Sequence, residues 1–369
     1  MATALTDDAS SARFIDVSAD EGVSPKPWRP LLVRRAEIEE QIARLLDKSV
    51  SPSGRRATEI VHPQSADLRG ITPGMSITLN VLRPGEKLSL RRANSNSVEF
   101  AIGGEATVLA GDRRFQVGKW STWSIPSMQR RYYANTSRQP FMWLSYSNQP
   151  LLDRLGVYFA DDAEAAEPVA QAGTENHYVR GNAPDYPILG DGARLRGYEF
   201  LTDIEVVENK ALVWPWSEVL PHMSEREGDG KRTIMLLYNP ATERRNGTTH
   251  SFFATITSFP PGNLRPPPAR GHRHSSFATN YHFVGGGSSV VDGQHFSWEA
   301  GDLMLSAPSW SEHSHGFAQE GAIVLTVQDH PFQIGIESLI WQERMDGPIR
   351  TLGSEPGQTG YVGPRLAGE

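Results

Sequence analysis

His272 and His274 flank one residue in Gly271-His272-Arg273-His274, and His313 and His315 flank another in Pro308-Ser309-Trp310-Ser311-Glu312-His313-Ser314-His315. On a strand, residues i and i+2 face the same way, so each pair can reach a single point. His272 and His274, joined by His313 from a later strand, supply three neutral nitrogen ligands. Such a set suits Fe(II), Mn(II), Ni, Cu or Zn and leaves coordination positions open for water or substrate. The plain alternative is a surface or hydrogen-bonded histidine cluster. Eight of the eleven histidines lie between His250 and His330, so the chemistry is concentrated in the C-terminal half. No cysteine is present, which excludes disulfides, thiolate metal sites and a cysteine nucleophile.

Further residues near these pairs could move protons. A general acid or base must reach its substrate directly or through water, and His282, His315 and Glu312 are the expected groups. His282 shares strand parity with Asn280, so it is either a shuttle inside the barrel or a satisfied core histidine. His315 is a fourth ligand, a substrate contact or a packed histidine. His295, in a glycine-turn hairpin, is expected at the surface, and His330 at a strand end. Arg91, Arg92, Arg130 and Arg131 form a basic cluster. It could take a carboxylate or an interdomain partner, although a solvated basic face is the plainer reading.

The elements that must position these residues are strands. From Ser76 onward, short runs rich in Val, Ile, Thr and aromatics are split by Gly, Pro and Asn, the pattern of an all-β sandwich or barrel. The block from about residue 250 to 343 repeats the block from 75 to 159. Gly103-Gly104, Val108, Gly111, Gly118, Pro126 and Arg131 match Gly285-Gly286, Val290, Gly293, Gly301, Pro308 and His313 at an offset of 182 with one-residue slips. Two copies of one β-domain is the simplest reading. Before them, Leu31, Leu32, Ile38, Ile42, Leu45 and Leu46 recur at three- and four-residue steps, predicting an amphipathic helix within Trp28–Val50. A second helix is expected near Trp216–Arg226. The expected organisation is a disordered arm (1–26), a helical segment (27–74), a cupin domain without metal (75–159), a linker and inter-domain segment (160–249), a metal-binding cupin domain (250–343) and an irregular tail (344–369).

The names of those domains rest on a resemblance. Gly-His-X-His, a Gly-rich turn, Gly301-Asp302 and Pro308 followed five residues later by His313 resemble the two cupin motifs, and the duplication resembles a bicupin. His272-Arg273-His274-Ser275-Ser276, Tyr281-His282-Phe283-Val284, Trp214-Pro215-Trp216-Ser217, Tyr238-Asn239-Pro240 and Phe259-Pro260-Pro261-Gly262 are similar to the gentisate 1,2-dioxygenase group. The resemblance spans about Met75 to Glu343. It implies two double-stranded β-helix (jelly-roll) barrels with an N-terminal helix, a homo-oligomer (dimer or tetramer), and Fe(II) chemistry on a small aromatic or enolic oxygen-bearing substrate with O2.

The sequence departs from that group in three places. The first copy offers Leu90-Arg91-Arg92-Ala93 and Arg131 where ligands belong, and arginine has no lone pair to give a metal. Ala278 and Thr279 stand where cupins often place a glutamate, and Ser314 where an acidic residue often separates the two later histidines. A redox-neutral isomerase, lyase or hydrolase, or a non-catalytic small-ligand-binding bicupin, are the other readings. The formal net charge of -7 argues against nucleic acid or an anionic membrane as partner, and no apolar run is long enough to span a membrane. The polar N-terminal residues lack a secretory pattern, so a cytoplasmic location is expected.

Overall fold

The computed structural model describes residues 16–19, 22–65, 69–162, 185–187, 193–196, 209–223, 232–262 and 264–352. Most of the expected arm (1–26), about half of the linker and inter-domain segment (160–249) and most of the tail (344–369) fall outside them.

Each copy builds the same antiparallel sheet. In the first, the spatial order is Val213–Trp214, Thr122–Ile125, Ser97–Gly103, Phe141–Ser147, Ser76–Leu82 and Arg56–Ile60. In the second it is Leu31–Val33, Leu303–Ala307, Ala278–Val291, His313–Gln328, Phe253–Phe259 and Thr233–Leu236. Strand by strand, the two orders correspond. The other face of the first copy is a five-stranded sheet of Ala160–Asp162, Arg91–Ala93, Arg131–Ala134, Glu105–Ala110 and Arg113–Gly118. In the second copy, Ala278–Val291 and His313–Gln328 are long enough to pass from one face to the other. Register shifts near Val284 and Gly286 turn the pair between faces. Gly104 and Gly285 occupy matching turns with φ +73° and +72°, a conformation that glycine adopts without steric cost. This is the duplicated all-β jelly-roll layout of a bicupin.

The edges of the two sheets show how the copies are joined. Leu31–Val33 precedes the first copy in the chain but pairs with Leu303–Ala307 of the second. Val213–Trp214 precedes the second copy but pairs with Thr122–Ile125 of the first. Each barrel thus has one exposed edge covered by the segment leading into the other, which removes an open row of backbone donors and acceptors. Aromatic contacts fill the seam between barrels. Phe100 lies 5.8 Å from Tyr281 and 5.3 Å from Phe283, centroid to centroid, pairs contributing about 0.5–1.5 kcal/mol each beyond their buried area.

The N-terminal helix spans Arg35–Asp47, shorter than the periodicity predicted. Leu31 and Leu32 are strand, not helix. Its start is held by the second barrel: the Arg35 backbone N–H donates to Asp302 Oδ1 at 2.7 Å. Ile38 and Leu45 are its buried residues. Arg56–Ile60, placed in the helical segment by the sequence, is a strand of the first barrel paired with Ser76–Leu82. Trp216–Met223 is helical as expected; Ser224–Arg226 lie outside the described residues.

Candidate metal centre

A close approach of two chain segments assembles the histidines. The His272 N–H donates to the His313 carbonyl at 3.2 Å, and the His313 N–H donates to the His272 carbonyl at 2.9 Å. Gly271 lets these backbones meet, because a Cβ there would lie 2.6 Å from the His313 carbonyl carbon. His274 is fixed by pairing of Arg273–His274 with Trp341–Gln342. The ring centroids of His272 and His313 are 4.5 Å apart, and those of His274 and His313 4.8 Å apart. One ring nitrogen from each of the three lies within 4.8 Å of the others. An ion about 2.1 Å from each nitrogen brings neighbouring nitrogens to about 3.0–3.4 Å, a contraction that small side-chain rotations supply.

Hydrogen bonds set the tautomers to suit a metal. His274 Nδ1 is 2.9 Å from the Ser276 carbonyl, and His313 Nδ1 is 3.0 Å from the Ser311 carbonyl. A carbonyl only accepts, so each Nδ1 carries the proton and each Nε2 keeps its lone pair. This is the outer support that metal-bound imidazoles use. The Gln328 amide nitrogen meets His274 Nε2 at 2.9 Å, and Ser276 Oγ links His274 Nδ1 (2.9 Å) to His330 Nδ1 (2.7 Å). Burial, and then the neighbouring His313 and His330, hold His274 well below the usual imidazole range. It is therefore neutral at pH 7, as ligation requires. The donor set fits a divalent transition ion.

The triad lies on the wall of an open cavity of about 1240 Å³ in the second barrel. His282, His315 and His330 line the same space, with Asn280, Thr326, Gln328, Arg232 and Arg245. His282 is fully buried and stacked 3.8 Å from Trp298 at 15°. Its Nδ1 faces the Asp302 carbonyl at 3.2 Å, while Nε2 is buried without a hydrogen-bond partner. Burial pushes it down to about 3, so it holds a free lone pair at neutral pH. His315 is also pushed down to about 3, by burial and by His313. Ser289 Oγ sits 2.8 Å from His315 Nδ1 and accepts from Trp298 Nε1 at 3.0 Å. With its oxygen accepting from Trp298, the serine hydroxyl donates to His315 Nδ1 and leaves Nε2–H on the imidazole.

Three expectations change. Glu312 does not line the cavity. Its carboxylate accepts from Arg270 Nε at 2.9 Å and from the Gly271 N–H at 2.9 Å, so it braces the His272–His313 approach and is not positioned for proton transfer. His330 sits at the start of the short helix His330–Gly335 and lines the cavity. The basic cluster is not one solvated face. Arg92 pairs in bidentate fashion with Asp161, while Arg91 and Arg131 oppose each other across a strand pair and line a cavity. Their pairing is the counterpart of the His272–His313 approach. It sets the register: Arg91, Ala93 and Arg131 stand where His272, His274 and His313 stand, and none can ligate a metal. Sequence reasoning missed Gln328, Ser289 and Trp298. Simple alternation puts Ser289 opposite in face to His282 and Gln328 opposite to His315, and the register shifts along the two long strands hid them.

No family model matches the chain. It is 22% identical over 341 residues to 5-aminosalicylate 1,2-dioxygenase from a Comamonas species, covering 86% of this chain and 81% of that protein. It is 25% identical over 185 residues to gentisate 1,2 dioxygenase 1 of Aquipseudomonas alcaligenes, covering 46% and 47%. Over 273 residues it is 24% identical to a 1-hydroxy-2-naphthoate 1,2-dioxygenase of Nocardioides sp. strain KP7, covering 70% and 64%. The crystal structure of salicylate 1,2-dioxygenase from Pseudaminobacter salicylatoxidans superposes with a TM-score of 0.69 at 16% identity, covering 90% of this chain and 94% of that one. That likeness establishes the fold. The chain resembles the gentisate 1,2-dioxygenase group of bicupins in sequence and in architecture.

Proposed function

From this resemblance and the tautomers of His274 and His313, we propose that the protein is an Fe(II)-dependent dioxygenase acting on a small aromatic or enolic oxygen-bearing acid. The ion is held by His272, His274 and His313. When bound, it supplies the electron route between an organic substrate and O2 that side chains lack. The observation that carries the reading is the convergence of one ring nitrogen from each of the three histidines to within 4.8 Å, with Nδ1 of His274 and of His313 held at a carbonyl so that Nε2 keeps the lone pair on both rings.

The chain's own residues divide the remaining work. The substrate acid enters beside Arg232 and Arg245, the guanidinium groups on the cavity wall, which suit a carboxylate. His282 Nε2, neutral and without a hydrogen-bond partner, accepts a hydrogen bond from the substrate hydroxyl and orients it. Trp298 holds its ring by stacking. His315, oriented by Ser289, presents Nε2–H as a donor to a developing oxyanion. Apolar side chains of the barrel, Phe317 and Val324 among them, limit water. A homo-oligomer, dimer or tetramer, and a cytoplasmic location belong to the same proposal; among the described residues no helix is long and apolar enough to cross a membrane.

Chelated protein reconstituted with Fe(II) is the material for the test. Oxygen uptake is measured with salicylate, gentisate, aminosalicylate, hydroxynaphthoate and enolic acids. Uptake with at least one substrate, lost in His313→Ala, is expected. No uptake with any of them, together with anaerobic turnover on Zn(II) or Mn(II), would favour a redox-neutral isomerase, lyase or hydrolase. Ser314, whose hydroxyl donates to the Pro268 carbonyl, adds no carboxylate to the centre and leaves that alternative chemically open.

A further inference from the structure

The two barrels meet at a smaller cavity. Asn148-Gln149-Pro150-Leu151 of the first copy and Asp329-His330-Pro331-Phe332 of the second occupy matching positions, each leading into a short helix, Gln149–Arg154 and His330–Gly335. Between them lies a space of about 200 Å³, walled by Pro73 and Leu151 from one copy and by Phe252, Phe277 and Phe332 from the other. The Phe277 ring meets Trp28 edge to face at 5.9 Å, which holds it in place. Leu151 and Phe332 are half-buried, so the space has a side toward solvent. None of the three metal-centre histidines lines it.

One polar group in that wall has an oxygen to spare. Asn148 uses both ends of its amide: Oδ1 accepts from the Asn96 N–H at 2.9 Å, and Nδ2 donates to Ser251 Oγ at 3.0 Å. Asp329, only 6% exposed, accepts from the Phe277 N–H at 2.8 Å and from the Gln333 amide at 3.4 Å, both on Oδ1. Its Oδ2 lies toward Gly74, 3.8 Å from where a methyl group on that glycine would stand, and Gly74 lines the cavity. Burial pushes the carboxyl up to about 7, against the N–H groups of Phe277 and of Asp329 itself and the Gln333 amide. Protonated and ionised forms therefore coexist near neutral pH. An ammonium group pairs only with the ionised form and a carbonyl only with the protonated one, whereas a hydroxyl both donates and accepts. An apolar cavity of about 150 Å³ is enough for benzene, so this space takes one aromatic ring with a hydroxyl.

We propose that the seam between the barrels binds a monocyclic phenol, its ring among Phe252, Phe277 and Phe332 and its hydroxyl on Asp329 Oδ2. The ring gains edge and offset-stacked contacts with the three phenyl groups, and the hydroxyl gives Oδ2 a partner inside an otherwise apolar wall. Asp329 is followed directly by His330, which lines the histidine cavity, but Asp329 faces the seam. The site is separate from the metal centre and does not depend on the reaction proposed there.

Fluorine NMR titration of the EDTA-treated full chain tests this, with para-fluorophenol, para-fluorotoluene and para-fluorobenzylamine as probes. The expected result is saturable binding of para-fluorophenol, with a dissociation constant in the millimolar range or tighter. Para-fluorotoluene, although the more apolar probe, binds at least about threefold more weakly, because it leaves Oδ2 without a partner. Leu151→Trp fills the space from its solvent side and removes one bound phenol per chain. His272→Ala, in the other cavity, keeps it. If Leu151→Trp does not fold, as judged by its melting temperature, Phe332→Trp carries the same expectation. Absence of saturable para-fluorophenol binding, equal phenol binding by the filled variant, or binding of para-fluorotoluene or para-fluorobenzylamine as tight as that of the phenol overturns the proposal.

Discussion

Gly271→Ala is the sharpest perturbation of the centre that leaves every ligand in place. The new methyl carbon would sit 2.6 Å from the His313 carbonyl carbon and 3.1 Å from its nitrogen. Ordinary contact between carbons needs about 3.5–4.0 Å, so the two backbones must separate by roughly 1 Å. That motion breaks the reciprocal bonds of 3.2 and 2.9 Å between His272 and His313 and pulls the His272 ring away from the other two imidazoles. Forcing a methyl into a closed contact costs about 1–3 kcal/mol of stability. Disturbing the outer support of a metal ligand costs about 10–100-fold in metal affinity. The assay is chelator competition for Fe(II) or Zn(II), with the melting temperature of the metal-free protein as control. Gly118→Ala, where an added methyl meets nothing within 4 Å, should match the wild type in both. Wild-type metal affinity in Gly271→Ala would refute the view that the His272–His313 approach builds the centre.

His272→Ala should abolish tight metal binding while the metal-free melting temperature stays within a few degrees, because His272 is only half-buried; metal content of the purified variant checks it. Ser289→Ala strands the buried Trp298 indole N–H and removes the partner of His315 Nδ1, costing about 1–3 kcal/mol by thermal unfolding and lowering kcat in the oxygen-uptake assay more than KM. Stability should fall as pH drops through 6.5. His274, His282, His315 and His330 are held below the imidazole range, so the unfolded chain binds protons there that the folded chain refuses. Asp329, pushed up to about 7, and Glu99, also raised, act in the opposite sense. Near pH 5 the unfolded state holds about two more protons, a slope of about 3 kcal/mol per pH unit. A melting temperature that does not change between pH 7 and 5 contradicts that assignment.

The centre was legible in the sequence because strand geometry is periodic. His272-X-His274 and His313, set by Gly301-Asp302 and Pro308, specify a converging set once two strands are assumed. The duplication was legible for the same reason, through glycines at turns that recur at an offset of 182. What stayed hidden depended on partners distant in the chain. Leu31-Leu32-Val33 continues the apolar spacing of the helix behind it, yet its backbone completes the sheet edge at Leu303–Ala307. Arg56–Ile60 has no alternating apolar face, and only pairing with Ser76–Leu82 makes it a strand. Glu312 lies beside a ligand in sequence but faces Arg270. Leu90-Arg91-Arg92-Ala93 alone does not say which residue takes the first ligand position; the Arg91–Arg131 pairing does.

Metal stoichiometry tests the central claim most directly. Chelated protein is saturated with Fe(II) without oxygen, freed of excess ion, and measured by mass spectrometry beside a variant in which His272, His274 and His313 are all alanine. One iron per chain in the wild type and none in the variant is the predicted result. Iron retained by the variant would contradict the account, because it would put the ion on residues other than the three histidines.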